Sequence, residues 1–404
     1  MMFLFSQKNV SVKISPEILT IAQEMCKIKE DVIKMYLMLV DTEVLYFNLE
    51  DCVVEVIRND LLPFSLRSNI RKSANIKDIL HNIQSVKDYL SSRVLSLSRD
   101  NAKQIYTAFQ IPQIDSTSNR VNICIKCKGI SIGDSYWIKD DNEAVKWCDI
   151  NIREIKLHDI VDISLTGFDP TITTSVICPE LTTKGMFRKG WIRLGDTLYL
   201  LKSDRTSNYV NTRMEILASE ILDCFDNVID SIPYVGDTKT TSEGKEFVSI
   251  CRNFIEEKYS FVEAWEVLDY SKRLEIDFSA CCMLQFGSIF ASIPVLDYII
   301  INTDRHTQNY GFLMNNETGK IEKMAPLFDY NCALVADYFS RDARDTLSQM
   351  FNTADTLRDL AYRFLPDTKI KFREDQFSRL LEENRNYEFI FDRVYDRIKE
   401  LHIV

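Results

Sequence analysis

The stretch Leu296–Ala333, LDYIIINTDRHTQNYGFLMNNETGKIEKMAPLFDYNCA, constrains this chain more than any other. An apolar run enters a polar loop, Asn302-Thr303-Asp304-Arg305-His306, and Asn309 follows five residues after Asp304. Gly311–Met314 and Lys320–Met324 read as strands, joined by Asn315-Asn316-Glu317-Thr318-Gly319, a cluster with turn chemistry. The second strand runs into Ala325-Pro326-Leu327-Phe328-Asp329. A loop carrying a carboxylate and an amide is thus met by a hairpin that returns a second carboxylate.

Phosphoryl transfer needs that set. One carboxylate orients or deprotonates the attacking hydroxyl, while an amide oxygen and a second carboxylate hold Mg²⁺ against nucleotide phosphates, because hard cations prefer oxygen ligands. An Asp/Asn pair alone is as well explained by a loop that caps its own backbone. Here Asp329 behind a hairpin, the apolar approaches and a compatible preceding half favour the chemical reading. The spacing of five matches the catalytic loop of protein kinases, although the order is Asp-Arg-His rather than His-Arg-Asp.

With Ala325-Pro326-Leu327-Phe328-Asp329 behind it, Asp304-Arg305-His306…Asn309 resembles the HipA-like kinases, which are similar both to eukaryotic protein kinases and to the phosphatidylinositol 3/4-kinase group. The resemblance covers roughly residues 165–400 and is strongest in the C-terminal motifs. It implies an α+β, bilobal protein-kinase-like fold with a small β-rich lobe and a helical large lobe. It implies ATP and Mg²⁺ as cofactors and a protein Ser or Thr as acceptor. A lipid or small-molecule acceptor is the alternative, and a catalytically inactive regulatory module another. Because HipA proteins act as toxins beside a small DNA-binding antitoxin, an antitoxin-like partner is also implied.

Upstream, Leu181-Thr182-Thr183-Lys184-Gly185 precedes a strand, Met186–Leu194, and Gly195-Asp196 turns into a second, Thr197–Lys202. The loop has a single glycine. Thr182, Thr183, Lys184 and Gly185 either hold phosphate through hydroxyls, N–H groups and the lysine, or form an ordinary polar loop. By resemblance, autophosphorylation of a hydroxyl in that loop would be inhibitory. Lys202 ends an apolar strand, and Glu215 lies thirteen residues on in a helix, Tyr209–Phe225, facing the sheet with Ala218 and Leu222. A strand lysine held by a helix glutamate, reaching nucleotide phosphates, is the kinase arrangement. Strands at Ile232–Val235 and Lys245–Ile255 would lead to an adenine-binding hinge at Arg252-Asn253-Phe254. In this reading Asp304 is the base, Asn309 and Asp329 are metal ligands, Lys202 binds phosphate, and Glu215 positions it. Arg305 pairs with a nearby carboxylate. His306 lies near the transferred phosphate or hydrogen-bonds the backbone.

The remaining chain bounds the answer. Its 404 residues suffice for two or three domains. A formal charge of −11 disfavours direct nucleic-acid binding. Eleven scattered cysteines, with no secretory signal, read as reduced cytosolic thiols, and Cys124/Cys127 lack the second ligand pair that structural zinc needs. The apolar run Phe286–Ile301 contains Pro294 and Asp297 and is too short to span a membrane. A cytoplasmic location is expected.

Residues 1–118 are expected to form an N-terminal mixed α/β module of unknown role, 119–256 the small lobe with a preceding capping segment, and 257–404 the helical large lobe. Within the first, Pro16–Lys29 and Val32–Met38 have helical spacing, Thr42–Ile57 reads as strands, and Ile76–Ser98 and Arg99–Gln110 as helices. Asp115–Asn119 is the linker candidate. Strands are expected at Val121–Cys127 and Ser135–Ile138, and helices at Phe261–Leu274, Phe278–Ile301, Asp345–Phe364 and Glu374–Leu401.

Overall fold

The computed structural model describes residues 34–72, 75–99, 101–108, 110–154, 188–241, 244–351 and 353–403. The expected helix at Pro16–Lys29 and the loop Thr182-Thr183-Lys184-Gly185 lie outside them. The architecture is mixed α+β, with separate sheet and helical regions.

An antiparallel sheet of order β3-β2-β1-β4 opens the fold: β1 Lys34–Leu39, β2 Thr42–Asn48, β3 Val53–Val56 and β4 Tyr136–Asp140. The helix expected over Val32–Met38 is β1 instead. Short apolar runs satisfy both periods, and pairing on both edges, with β2 and β4, decides for strand. The tight β1–β2 connection holds Val40 at a φ of 53°. The Trp137 indole N–H binds the Val40 carbonyl at 2.6 Å and fastens that turn.

Helices α1 Ile76–Ser92, α2 Ala102–Ala108 and α3 Thr117–Lys126 flank this sheet. The strand expected at Val121–Cys127 is therefore a helix. Ser116 caps it by accepting from the Asn119 N–H, and Val121, Ile123 and Cys124 bury against the module's core. Tertiary burial outweighs the β-branched composition. Both α3 and β4 belong to the N-terminal sheet unit, so the chain beyond Asp115–Asn119 continues that unit rather than starting another. Cys127 donates to the Cys124 carbonyl, and burial pushes its thiol up to about 11.

A second antiparallel sheet, order β5-β6-β9-β8, comprises β5 Arg188–Leu194, β6 Thr197–Ser203, β8 Tyr234–Thr241 and β9 Gly244–Arg252; between β6 and β8 come helix α4 Val210–Leu222 and β7 Phe225–Asp226. The β8–β9 hairpin is longer than its polar sequence suggested. Residues Gly236–Thr241 are mostly exposed yet fully paired.

The third sheet contains β10 Tyr259–Glu263, β11 Gly311–Asn315 and β12 Ile321–Met324. The helix expected from Phe261 thus begins only at Ala264, as α5 Ala264–Arg273, because Phe261–Glu263 pair with Gly311–Leu313. Phe278–Ile301 is two helices, α6 Phe278–Phe286 and α7 Ser288–Ile299, meeting at 112°. Gly287, with φ 51° and ψ −126°, supplies a conformation open only to glycine. No single helix among the described residues is long and apolar enough to cross a membrane, and α7 is buried from Phe290 to Ile299.

The C-terminal region holds α8 Leu357–Phe364, β13 Lys371–Phe372 (paired with β7), α9 Glu374–Glu383 and α10 Glu388–Glu400. Helix does not extend back to Asp345, and 384–387 interrupts the expected final helix.

The N-terminal unit packs directly on the third sheet: Val262 and Met314 belong to its core cluster. At the β11–β12 turn, Gly319 (φ 64°) approaches so closely that a Cβ would lie 1.9 Å from the Asp60 carbonyl oxygen.

Candidate active site

Lys202 is delivered by β6 and Glu215 by α4. The apolar stripe of that helix, including Met214, Leu217, Ala218 and Ile221, buries against the large core and brings Glu215 in with it, 1% exposed. Lys202 Nζ lies 2.6 Å from Glu215 Oε1, and the Ser249 hydroxyl donates to Glu215 Oε2 at 2.7 Å. The same ammonium lies 2.8 Å from Asp329 Oδ1 and 3.3 Å from the Tyr234 hydroxyl. Burial alone would lower the Lys202 pKa; Asp329 and then Glu215 outweigh it and raise it, so the lysine stays charged.

Asp329 sits at φ 61°, a left-handed conformation that Asp tolerates better than most residues. Its backbone N–H donates to the Tyr234 hydroxyl at 3.2 Å. Burial would raise its carboxyl, but Lys202 and Lys189 hold it well below the usual carboxylate range.

The loop after α7 is built around a buried ion pair. Asp297, the one charge in the apolar run, lies 3.1 Å from Arg305 Nε, and neither side chain is more than 3% exposed. Asp297 also accepts from the Asn302 amide at 3.0 Å. Arg305 Nη1 donates to the carbonyls of Asn309 and Phe328, both at 2.7 Å. One guanidinium therefore ties the loop end to the residue preceding Asp329. The expected carboxylate partner of Arg305 is Asp297.

Asp304 is half-buried. Its carbonyl accepts from the Asn309 amide NH₂ at 2.9 Å, leaving the Asn309 amide oxygen as a hard donor. Burial pushes the Asp304 carboxyl up; His306 opposes this, and the Asp329 charge adds to it. Two nearby carboxylates are thus driven in opposite directions. His306 Nδ1 accepts from the Gln308 N–H at 3.2 Å, the backbone-bonding alternative for that residue.

Asn309 and Asp329 offer the amide and carboxylate oxygens that suit Mg²⁺. Among the described residues no cluster of three or more His, Cys, Asp or Glu forms a metal cage.

At the expected hinge, the Asn253 N–H donates to the Leu198 carbonyl at 2.9 Å, so in this arrangement it is not offered to a base. Phe254 stacks on Phe328 with ring centroids 5.5 Å apart, next to Asp329. Tyr234, Ser249 and Lys189 were missed from sequence. Their relevance is purely cross-strand or cross-element. Asp297 carried a signal: a lone carboxylate inside an apolar helix, eight residues before an arginine. A separate cavity of about 200 Å³ lies away from Lys202, between the N-terminal unit and β10–α5, lined by Phe64, Tyr89, Arg93, Asp134 and Trp265 among others.

No family model and no curated protein matches this chain. Among solved structures, it is distantly similar to a proinflammatory kinase of Helicobacter pylori, CtkA, with a TM-score of 0.39 and 14% identity over 53% of this chain and 92% of that one.

Proposed function

We propose that this chain is an ATP- and Mg²⁺-dependent kinase of the HipA-like type, transferring the γ-phosphoryl group to a protein Ser or Thr. The observation that carries the reading is the convergence on Lys202 of Glu215 from α4 and Asp329 from the returning hairpin. Sheet β5-β6-β9-β8 with α4 is read as the small lobe, and the third sheet with α5–α10 as the large lobe. The Ser/Thr acceptor and an antitoxin-like partner rest on the sequence resemblance, and a cytoplasmic location on the scattered cysteines and the short apolar run of the sequence.

Each residue then has a defined task. Lys202, kept charged by its two carboxylates, binds phosphate. Glu215, steadied by Ser249, sets the direction of the ammonium. Asp304, its pKa raised towards the working range, orients the acceptor hydroxyl and takes its proton. Asn309 and Asp329 would hold Mg²⁺, which when bound neutralises charge on the transferring phosphates. Arg305 keeps the two motifs in register.

The experiment is Mg²⁺-dependent ATP binding by thermal shift, followed by transfer of ³²P from labelled ATP to protein, lipid and small-molecule acceptors. Binding and transfer by wild type, with transfer lost in Asp304→Asn, support the reading. Nucleotide binding with no transfer to any acceptor, under conditions where the chain is folded, favours a regulatory module.

A further inference from the structure

We propose that the cavity between the N-terminal unit and β10–α5 binds an organic cation, a guanidinium or ammonium group on a short apolar stem. The site shares no residue with the proposed kinase machinery.

The space is about 200 Å³ and its walls are aromatic. Phe64 and Tyr89 come from the N-terminal unit, Trp191 from β5, Phe261 from β10 and Trp265 from α5. Trp191, Phe261 and Trp265 are only half-buried, so ring surface stays open to an occupant. The face of such a ring carries negative potential and attracts a cation.

The charged groups of the wall set the sign of the occupant. Arg93 is its one cation among the described residues, and every donor of that guanidinium is already engaged. Nε gives to the Gly129 carbonyl, Nη1 to the Tyr89 hydroxyl and Asp134, and Nη2 to Asp134 and the Tyr136 carbonyl, all within 3.2 Å. An anion therefore finds no donor there. Asp134 balances Arg93, and Glu263 and Glu266 add two further carboxylates to the lining. Glu263 is only 9% exposed. It accepts from the Trp265 indole N–H and, at 3.4 Å, from the Gln308 amide, while Glu266 accepts from the Ser65 N–H at 3.2 Å. These donors are uncharged: they aim the carboxylates without cancelling their charge. Carboxylates beside open aromatic faces suit a guanidinium or ammonium, which pairs with the one and stacks on the other.

The same wall supports the loop that carries Asp304. The Trp265 N–H donates to the Thr307 carbonyl at 3.1 Å and the Ala264 N–H to the Tyr310 carbonyl at 3.0 Å. An arginine or lysine side chain of an acceptor protein and a free small cation present the same head group to this wall.

The test is calorimetric titration, with tryptophan emission read in parallel, at physiological salt. Agmatine, N-acetylarginine amide and its neutral isostere N-acetylcitrulline amide are titrated into wild type, Glu263→Gln and Glu266→Gln, whose thermal midpoints show that each is folded. Both cations should bind wild type and change its emission, with the citrulline amide about tenfold weaker or more. Each glutamine variant should bind the cations about ten- to a hundred-fold more weakly. Two serine peptides that differ only in arginine or citrulline beside the serine separate the sources. An arginine peptide that outcompetes agmatine places the cation on a protein acceptor; agmatine binding with no preference between the peptides makes it a free small molecule. Cations that bind wild type no tighter than the citrulline amide, or both folded variants within twofold of wild type, overturn the proposal. That outcome leaves the kinase reading standing, and a failure of Mg·ATP to bind overturns the kinase reading without touching this site.

Discussion

Lys202 Nζ and Asp329 Oδ1 lie 2.8 Å apart although 127 residues separate them in the chain. The contact joins β6 to the segment that follows the β11–β12 hairpin. It places the expected phosphate-binding lysine and the expected metal-binding carboxylate in one electrostatic unit.

Lys202→Met should therefore do more than remove a phosphate contact. It leaves Glu215 and Asp329 buried without their cation, a loss on the order of 3–5 kcal/mol in denaturant unfolding. The associated pH dependence has a definite sign. The native Asp329 pKa is depressed, so its contribution is present above the ordinary carboxylate range near pH ~4 and is lost as pH falls further towards the native value. Unfolding curves from pH 7 to 2.5 should show that loss in wild type and not in Lys202→Met.

In the proposed phosphoryl transfer, the ion-paired Lys202 and Glu215 would act as a pair. The effects of Lys202→Met and Glu215→Gln on transfer rate should be non-additive, the double variant resembling Lys202→Met alone. Fully additive losses would assign Glu215 to another contact.

Asp304→Asn should lower transfer by roughly 10²–10⁴-fold while nucleotide affinity stays within a few-fold, since in the proposed reading the residue serves the acceptor. Asp329→Asn should instead weaken Mg·ATP binding itself, because the proposed reading makes Asp329 a direct metal ligand. Burial raises the Asp304 carboxyl, so the acidic limb of the rate profile should fall above the ordinary aspartate range. Transfer at wild-type rates by both variants would displace the site.

Asp297→Asn tests the scaffold beneath the loop. It strips Arg305 of its buried carboxylate, and a loss of about 3–5 kcal/mol in unfolding free energy is expected. Hydrogen exchange should rise at Asn309 and Asp329, whose neighbouring carbonyls Arg305 ties together. Unchanged protection at both would mean that the guanidinium does not hold the motifs in register.

Gly319→Ala should loosen the N-terminal unit from the third sheet. The added Cβ meets the Asp60 carbonyl, at a positive φ that already disfavours alanine. Limited proteolysis should cleave the variant near residues 58–62 faster than wild type. Equal cleavage would show that the turn yields at little cost.

Several features were legible in the chain because their determinants are local. The β11–β12 hairpin follows from Asn and Gly between two apolar runs, α4 from its apolar stripe, and the β5–β6 turn from Gly195-Asp196. The five-residue step from Asp304 to Asn309 and the presence of Lys202 and Glu215 could be read for the same reason: spacing along one strand, loop or helix is a property of sequence. What the tertiary structure alone decided depends on which segments meet. Val32–Met38 carries a period that suits either structure, and its neighbours β2 and β4 made most of it a strand; Val121–Cys127 has strand-like residues, and a capped, buried face made it a helix. Lys189 reads as a polar strand residue like many others. Only the pairing of β5 with β6 sets it opposite Lys202, and only packing takes it out of water, because both depend on non-local register and on exclusion of water that no single segment encodes.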